Sequence, residues 1–222
     1  MKDYKEISKK SFNEDAEKLN LEESSEENKF FMKRESYDIV QEEVKKENFD
    51  DFLDIGCGIG NSIELLLKEF PESHFIGLDI AEKMIELAKK KKLSPEHTEF
   101  IIGDAENLPF DGHSPHQSFD VVICKETFHH FPHPEKFFTE VYRVLKPNGR
   151  FIIFDFATTE ISRWIKNNIT NSFSSHGICH HYNIQEVTDL YKNFNFEILR
   201  AENVTDDRMI VSGRKIIKEQ TK

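Results

Sequence analysis

Cysteine is scarce in this sequence. The three that occur, Cys57, Cys124 and Cys179, are odd in number and lie far apart along the chain. They match no disulfide framework, so we expect a reducing compartment, the cytoplasm. An apolar signal core is missing from the N-terminal residues MKDYKEISKKSFNED, which agrees with that compartment. No apolar run approaches membrane-spanning length and the mean hydropathy is −0.60, so we predict a soluble protein without a membrane span.

Long runs of basic residues are also missing. The formal net charge is −11, and acidic side chains are spread from the N-terminus through the middle of the chain. Proteins that bind nucleic acid neutralise its backbone phosphates with Lys and Arg, so we expect no nucleic-acid partner. At 222 residues the chain can form one sizeable domain with additions. Its composition predicts no particular oligomeric state.

The most distinctive stretch present is DFLDIGCGIG, residues 51–60. Phe52, Leu53 and Ile55 indicate a short buried strand, after which every second residue is glycine, at 56, 58 and 60. The next residues, NSIELLLKEF, carry apolar side chains at helical spacing. A glycine loop between a strand and a helix lets a ligand approach backbone amides at the helix N-terminus. The stretch therefore predicts a site for a nucleotide-type cofactor.

Strand patterns alternate with helix patterns through the rest of the chain. Further strands are predicted at residues 74–79, 99–104, 119–124 and 150–156. Amphipathic helices between them indicate a parallel sheet that is covered on both faces. The segments 196–200 and 208–214 are expected to close the sheet as an antiparallel pair. Before them, Asn183 and Glu186 have the spacing of a helix capping box.

Acidic residues stand at the ends of three predicted strands. Asp79 ends the second strand, where a carboxylate can accept hydrogen bonds from two ribose hydroxyls. Asp104 ends the third strand, beside the crevice in which α/β sheets bind such ligands. Together with Asp54, these carboxylates favour a ligand that carries positive charge over a pyrophosphate. S-adenosylmethionine, with its sulfonium and amino groups, is a ligand of this kind.

Several motifs occur in order along the chain: LDIGCGIG, IGLDI, GDAENLPF and SFDVVICKETFHHFPHPEKFFTEVYRVLKPNGRFIIFD. With them, roughly residues 45–156 resemble class I S-adenosylmethionine-dependent methyltransferases, particularly the group similar to ubiquinone/menaquinone C-methyltransferases. The resemblance implies a Rossmann-like α/β fold: a seven-stranded, mostly parallel sheet with helices on both faces and a final antiparallel strand. It also implies methyl transfer to a small-molecule acceptor, with S-adenosylhomocysteine as the product.

The resemblance assigns the methionine end of the cofactor to the glycine loop and the fourth strand. Asp54 and the backbone of Gly56 are expected to hold that end, and Gly58 lets the cofactor pass close to the backbone. The carbonyl of Lys125 is expected to accept a hydrogen bond from the methionine ammonium. Cys57 belongs to the same cofactor-binding loop, and we interpret it as a small space-filling residue because no base stands beside it in the sequence.

The nucleoside end is assigned to the second and third strands. By the resemblance, Asp79 accepts hydrogen bonds from the ribose hydroxyls, and Ile80 lies against the adenine. Asp104 is expected to accept from the adenine amino group, with the Ala105 backbone at the edge of the ring.

His129 and His130, in KETFHHFPHPE, follow the fourth strand, where the resemblance places the methyl acceptor. A histidine there can deprotonate the acceptor, so both are candidate catalytic residues. The pair can also shape the loop and hydrogen-bond the backbone, and the sequence does not choose between these roles. A second histidine-rich string, from His176 to His181, lacks a second ligand pair at zinc-finger spacing. We therefore expect no metal site.

The two flanking regions match the family only loosely. Residues 1–35 form a charged N-terminal appendage that can act as a lid, in which residues 30–32 (FFM) pack either on the sheet or in an acceptor pocket. Residues 36–222 form the class I methyltransferase domain, with a cap-like insertion at about residues 157–182. In similar enzymes, these loosely matching segments choose the substrate.

Two other functions fit part of the pattern. A nicotinamide-dependent oxidoreductase uses a similar glycine loop, but here Asn61 stands where the last glycine of G-x-G-x-x-G would fall. The acidic end of the third strand also argues against that function. The other alternative is a cofactor-binding module or accessory subunit without turnover, because the motifs are complete only for the cofactor.

Overall fold

The structure, a computed structural model, describes residues 3–19, 34–165, 167 and 176–217. Its strands are β1 (Asp51–Ile55), β2 (His74–Asp79), β3 (Thr98–Ile102), β4 (Phe119–Lys125), β5 (Leu145–Phe156), β6 (Phe196–Thr205) and β7 (Arg208–Lys215). The helices are α1 (Tyr4–Lys18), α2 (Arg34–Val44), α3 (Asn61–Leu67), α4 (Glu82–Lys90), α5 (Pro134–Val144), α6 (Glu160–Ile165) and α7 (Ile184–Asn193). A short 3-10 helix, here called the histidine turn, spans Phe128–His130.

The strands form one sheet in the order β3-β2-β1-β4-β5-β7-β6. Strands β1 to β5 pair in parallel, whereas β7 lies antiparallel between β5 and β6. The predicted Rossmann-like sheet and its antiparallel closing pair are therefore confirmed. Because β2 and β4 lie on opposite sides of β1, the strand order reverses there. Ligands of such sheets bind in the crevice at the carboxyl ends of the strands beside this reversal.

Apolar layers on both faces hold the strand ends in place. Leu53 and Ile55 of β1 join a cluster that includes Phe137 of α5. Phe52, on the other face of the same strand, packs in a second cluster with Val44 of α2. Every residue of β1 is buried, as expected for a central strand of a parallel sheet. The residues that follow β1 are thus anchored by a rigid element.

Three strand boundaries differ by more than one residue from those predicted. β3 ends at Ile102 rather than at Asp104, because the chain turns there and Asp104 forms an isolated bridge with Asn107. β5 begins at Leu145 and includes the predicted turn KPNG, where Asn148 has a φ of 62° and the pairing with β4 is irregular. β6 extends to Thr205, past the predicted five residues.

The N-terminal appendage contains helix α1, which is 15 residues long. Asp3 caps it by accepting a hydrogen bond from the Glu6 N–H. The FFM triplet, residues 30–32, lies outside the described residues. The predicted capping box of α7 is confirmed, since Asn183 and Glu186 each accept the other's backbone N–H. No helix within the described ranges is long and apolar enough to cross a membrane.

Candidate active site

A cavity of about 600 Å³ lies at the carboxyl ends of the parallel strands. This volume is typical of small-molecule sites. The predicted site residues that line it are Asp54, Gly56, Cys57, Gly58, Asp79, Ile80, Asp104, Ala105, Lys125, His129 and His130. The fold thus gathers all the residues predicted to bind cofactor or to catalyse around one cavity.

The glycine loop contains two glycines with different surroundings. Gly56 has a φ of +75°, and a Cβ there would lie 2.3 Å from Cγ2 of Thr127. Gly58 has a φ of +53°, but a Cβ there would meet no atom within 4 Å. Gly56 is therefore required by packing of the protein itself. At Gly58 a side chain would instead take up open space beside the cavity, as expected where a ligand passes close to the backbone.

Alanine substitution at these two glycines is expected to have unequal effects on folding. Gly56→Ala puts a Cβ on a left-handed backbone and against Thr127, so it should lower the free energy of unfolding by about 3 kcal/mol or more. Gly58→Ala meets no other atom, so the left-handed backbone alone should lower the free energy of unfolding, by about 1 to 2 kcal/mol. Thermal denaturation should therefore give a Tm for Gly56→Ala that is at least about 4 °C below that of Gly58→Ala. Equal losses would show that Gly56 has no special packing role.

Asp54, at the end of β1, is an uncompensated buried carboxylate. The residue is 1% exposed, and neither carboxylate oxygen has a hydrogen-bond partner among the described residues. Burial raises the pKa of Asp54 to about 7; the Lys125 ammonium and the nearby Ser62 hydroxyl oppose this rise, and the Asp79 carboxylate adds to it. Because an unpaired buried carboxylate is costly, its place on the cavity wall points to a ligand that supplies a donor or a positive charge.

Asp79, the last residue of β2, is hydrogen-bonded to the glycine loop. Its carboxylate accepts hydrogen bonds from the backbone N–H groups of Gly58 and Ala81, both at 2.9 Å. Burial raises the pKa of Asp79, and these backbone hydrogen bonds oppose the rise. Each oxygen still has a lone pair for a further donor. The side chain can therefore accept a ligand diol without giving up its structural contacts.

Asp104 is covered by helix α1. Nζ of Lys5 lies 2.7 Å from Oδ2 of Asp104 and 2.7 Å from Oε2 of Glu106. The Glu106 N–H donates to Oδ1 of Asp104 at 2.9 Å. The sequence analysis missed Lys5, because no local pattern links a lysine near the N-terminus to the end of the third strand.

Lys125 contributes both its backbone and its side chain. Its carbonyl, the predicted acceptor for the ligand, receives a hydrogen bond from Oγ1 of Thr127 at 3.0 Å and keeps a second lone pair. Its ammonium pairs with Glu126 at 2.6 Å and lies 4.0 Å from the ring centre of Tyr37. The side-chain contacts were not predicted. They keep a positive charge near Asp54.

The two candidate catalytic histidines lie on the histidine turn and have different partners. Nδ1 of His129 is 2.7 Å from Oδ1 of Asp155, and the His129 backbone N–H donates to Oδ2 at 3.1 Å. Nδ1 of His130 is instead 3.3 Å from Oγ of Ser8. Burial is the larger cause, and neighbouring His129 the next, of a fall in the pKa of His130 to about 3. Asp155 was missed, although the motif RFIIFDF places a carboxylate at the end of a strand beside the fourth.

Aromatic side chains surround the histidines and were also missed. The ring centroid of Phe12, from α1, is 5.1 Å from that of His130. The ring of Phe156 is 5.0 Å from that of His129, and the Arg208 guanidinium lies 3.9 Å from the Phe156 ring centre. These residues are far apart along the chain, so sequence spacing gave no sign that they would meet.

The histidine-rich string after α6 supports the histidine turn. The Cys179 N–H donates to the His129 carbonyl at 2.9 Å, and Sγ of Cys179 lies 3.1 Å from the His130 carbonyl. Nε2 of His180 lies 3.4 Å from Glu186. Within the described ranges, no group of three or more His, Cys, Asp or Glu side chains is arranged to hold a metal ion. Burial raises the pKa of the Cys57 thiol, which disfavours a nucleophilic thiolate there.

Comparison with known proteins adds independent information. A family model described as "Methyltransferase domain" matches residues 45–195. A phthiotriol/phenolphthiotriol dimycocerosates methyltransferase of Mycobacterium tuberculosis is 40% identical over 113 residues, which are 50% of this chain and 40% of that protein. A demethylmenaquinone methyltransferase of Thermotoga maritima is 34% identical over 125 residues, which are 56% of this chain and 52% of that protein. The matched part thus spans about half the length, or less, of these curated relatives.

A solved structure has the same fold. Phosphoethanolamine N-methyltransferase 2 of Haemonchus contortus, in complex with S-adenosyl-L-methionine, matches with a TM-score of 0.68 and 18% identity. The match covers 82% of this chain and 52% of that chain. At this identity the likeness concerns the fold.

Proposed function

Because this chain belongs to the methyltransferase domain family, we propose that it is an S-adenosylmethionine-dependent enzyme that transfers a methyl group to a small-molecule acceptor. The observation that carries the proposal is the Asp54 carboxylate, which is buried on the cavity wall and has no hydrogen-bond partner in the part of the chain that the structure describes. A cofactor with an ammonium group supplies hydrogen-bond donors to these oxygens and adds positive charge to that of the nearby Lys125 ammonium.

In this proposal, the methionine end lies at the ends of β1 and β4. Asp54 pairs with the ammonium, and the carbonyl of Lys125 accepts one of its hydrogens. Gly56 shapes the loop, Cys57 fills the space below it, and the bare backbone of Gly58 borders the passing cofactor. The residues fit the group, since the oxygen atoms on this wall are acceptors and the open space is at Gly58.

The nucleoside end lies at the ends of β2 and β3. Asp79 accepts from the ribose hydroxyls, and Ile80 packs against the adenine. Asp104 accepts from the adenine amino group, with the Ala105 backbone beside the ring. All four line the same cavity as the methionine end, which supports one continuous cofactor site.

The chain's own contribution to methyl transfer is positioning and exclusion of water. The bound cofactor supplies a methyl group that the sulfonium already activates. Residues at the strand ends fix the donor, and the aromatic and histidine side chains around Phe156 hold the acceptor against it. His129 or His130 is needed as a base where the acceptor atom carries a proton.

We further propose that the N-terminal appendage, residues 1–35, acts as a lid through α1, together with the cap-like insertion at about 157–182. Ser8 donates to the His176 carbonyl at 3.1 Å, which joins the two segments over the cavity. Phe12 and Ala16 pack with Met84 of α4. The described parts of both segments thus form a roof that would keep water from the bound cofactor.

Gly177→Ala is expected to loosen this roof. Gly177 has a φ of +71°, and a Cβ there would lie 2.7 Å from the Tyr4 carbonyl oxygen and 2.8 Å from the Ser8 nitrogen. Because α1 has to move away, limited proteolysis should cut the N-terminal segment faster, and S-adenosylhomocysteine should dissociate about tenfold faster. Gly112→Ala is the matched control, since it strains another left-handed glycine against Arg143, outside the cavity lining. Identical proteolysis of the two variants would argue against the lid.

The test of the proposed function is a comparison of ligands followed by an assay of turnover. Thermal shifts should show stabilisation by S-adenosylhomocysteine and none by NADH, whereas the reverse would favour the oxidoreductase. Production of S-adenosylhomocysteine from S-adenosylmethionine should then depend on the acceptor added. Binding of S-adenosylhomocysteine without turnover on a broad acceptor panel would favour the accessory-module alternative.

The expected partner is a small molecule in the cytoplasm. The curated relatives are named for phthiotriol/phenolphthiotriol dimycocerosates and for demethylmenaquinone, which supports a small-molecule acceptor over nucleic acid. The net charge of −11 supports the same choice. A cytoplasmic location is supported by the thiol form of all three cysteines, Cys57, Cys124 and Cys179.

A further inference from the structure

The His129–Asp155 pair has the geometry of an oriented base. Asp155, at the carboxyl end of β5, is 1% exposed. Its carboxylate receives the His129 Nδ1 contact at 2.7 Å and backbone N–H hydrogen bonds from His129 at 3.1 Å and Phe156 at 2.7 Å. An acceptor held in this way fixes the proton of the imidazole on Nδ1. Nε2 of His129 is then left with a lone pair, and it has no hydrogen-bond partner among the described residues.

Asp155 is able to balance a positive charge on His129. Burial opposes its ionisation, but the His129 imidazole and the backbone N–H groups hold the pKa of Asp155 below its usual range. His130 lacks such a partner, because its Nδ1 meets the Ser8 hydroxyl. With a pKa of about 3, His130 is a poor proton acceptor at neutral pH. The two histidines are equivalent candidates in the sequence, but their partners in the structure favour His129 as the base.

The other titratable groups around the pair leave Asp155 as its dominant charge. These groups are His130 on the same turn, Cys124 on β4, Cys179 and Tyr182 before α7, and Arg208 behind the Phe156 ring. Burial raises the pKa of both thiols and of the Tyr182 phenol, so these three groups are neutral at pH 7. The Arg208 guanidinium is balanced by ion pairs with Glu126 and Asp207.

The base lies at the end of the cavity away from the predicted adenine site. Asp155 is the second-last residue of β5 and Asp104 lies just after β3, and the two strands are separated by four strand spacings in the sheet order. At about 4.8 Å each, these spacings put the two ends roughly 19 Å apart. The surroundings of His129 at its own end are aromatic, with Phe156 beside it and Phe12 beyond His130.

Resting on the proposed function, we propose that the acceptor presents a hydroxyl on an aromatic ring, that Nε2 of His129 takes the hydroxyl proton, and that Asp155 is the positioning residue for His129. A phenol has a pKa near 10 and is protonated at neutral pH, so methylation of its oxygen gains from a base. A carboxylate is already ionised, and a thiol with a pKa near 8.5 supplies thiolate by itself. Of these three acceptors, the hydroxyl is the one that gains most from a buried, carboxylate-oriented histidine, and the aromatic surroundings of His129 favour a hydroxyl carried on a ring.

The step balances in atoms and charge. The acceptor oxygen loses its proton to Nε2 of His129 and forms a bond to the methyl carbon, while the bond from that carbon to sulfur breaks. The electron pair of the broken bond stays on sulfur, which leaves neutral S-adenosylhomocysteine and a methyl ether. The imidazolium that forms is compensated by Asp155 until the proton passes to solvent.

The first test needs no acceptor. In protein with 15N-labelled histidine, bound to S-adenosylhomocysteine, the His129 signals are assigned by their loss in His129→Gln. We expect the Nδ1–H form in the neutral imidazole of wild type, and a clear rise in the Nε2–H form in Asp155→Asn, because the carboxylate that fixes the proton on Nδ1 is lost. Glu197→Gln, at an exposed site on β6, is the control and should leave the tautomer unchanged. An Nε2–H form in wild type, or an unchanged tautomer in Asp155→Asn, would overturn the proposal.

The second test compares acceptors that differ in one atom: 4-nitrophenol, 4-nitrothiophenol and 4-nitroaniline. We expect His129→Gln and Asp155→Asn each to lower kcat for the phenol by about 10²- to 10⁴-fold, with the loss in Asp155→Asn reduced at higher pH. Glu197→Gln should retain that activity, and thiol methylation by the two variants should change by less than about threefold. Methylation of the aniline or thiol in place of the phenol would overturn the assignment. If none of the three is methylated, the His129 spectra of the first test decide whether Asp155 orients His129 as a base.

Calorimetry with S-adenosylhomocysteine distinguishes a failure of the proposed methyltransferase function from a failure of the proposal on His129 and Asp155. Affinity within about threefold of wild type in Asp155→Asn shows that the variant is folded and that its cofactor site is intact. Failure of the wild-type protein to bind S-adenosylhomocysteine would sink the proposed function itself. Normal binding together with the Nε2–H form of His129 would contradict only the hydroxyl acceptor and the role of Asp155.

Discussion

Asp79→Ala is expected to weaken the binding of S-adenosylhomocysteine by about 100-fold or more. The carboxylate is assigned to two ribose hydroxyls, and hydrogen bonds to a charged acceptor contribute about 1.5 kcal/mol each at the low end of their range. Their loss totals about 3 kcal/mol, which corresponds to roughly two decades in Kd. The variant also loses the contact that holds the Gly58 N–H, so the loop that borders the cofactor becomes less ordered. Isothermal titration calorimetry measures the change.

Asp120→Ala is the matched control for this measurement. Asp120 also accepts two backbone N–H groups, from Asp50 at 3.0 Å and Asp51 at 2.9 Å, and it pairs with Lys146. It does not line the cavity. Asp120→Ala should therefore lose comparable stability and keep its affinity for S-adenosylhomocysteine. If both variants bind normally, the assignment of Asp79 to the ribose is wrong.

Asp54→Asn is expected to stabilise the folded protein and to weaken cofactor binding at the same time. In the free protein the Asp54 carboxylate has no partner among the described residues, so a neutral amide removes an uncompensated buried charge. In the complex the same change removes the proposed partner of the ammonium, and affinity for S-adenosylhomocysteine should fall by about 10- to 100-fold. Opposite signs in the two measurements distinguish a ligand-binding carboxylate from a structural one.

The stabilisation by Asp54→Asn should depend on pH in a defined way. The pKa of Asp54 is about 7 in the folded state and about 3.9 in an unfolded chain. Between these values the folded state holds a proton that the unfolded state has released, so wild-type stability falls as pH rises from about 4 to about 7. Above pH 7 both states are ionised and no further loss occurs. The full effect is at most about 4 kcal/mol.

Thermal denaturation of the two proteins between pH 5 and pH 8.5 measures this difference. The Tm of Asp54→Asn should exceed that of wild type by about 5 °C or more at pH 8. The gap should narrow steadily below pH 7. A constant gap across this range, or a less stable variant at pH 8, would mean that Asp54 is paired in the folded protein.

The sequence was sufficient to predict those parts of the site that are local in the chain. The glycine loop follows β1 directly, and Asp79 ends a strand whose observed bounds match those predicted. The loop's spacing and the apolar pattern around it result from short-range requirements, a buried central strand and close approach of a ligand to the backbone. For this reason all the residues predicted to bind the cofactor line the one cavity.

The acceptor side could be predicted only in part. His129 and His130 were found as a pair, but their different roles depend on Asp155 and Ser8, which lie on other elements. Lys5 meets Asp104 across 99 residues of sequence, and no local pattern encodes that contact. These interactions depend on how the flanking segments dock over the sheet, which a single sequence specifies only through tertiary packing.

Strand ends were predicted less accurately than strand centres for a similar reason. Residues 99–104 continue an apolar pattern, but the chain leaves the sheet after Ile102 because Asp104 accepts the Glu106 N–H in a tight turn. At Leu145 the strand begins earlier than its apolar pattern, since backbone pairing with β4 does not require apolar side chains.

The most direct test of the central claim is the number of protons released when S-adenosylhomocysteine binds, measured by calorimetry at pH 7 in buffers of different ionisation enthalpy. The claim is that the cofactor's ammonium pairs with Asp54. Because the pKa of Asp54 in the free protein is about 7, pairing should lower it and release about half a proton at pH 7. The account predicts that release in wild type and none in Asp54→Asn. Absence of binding, or binding with no difference in proton release between the two proteins, would contradict it.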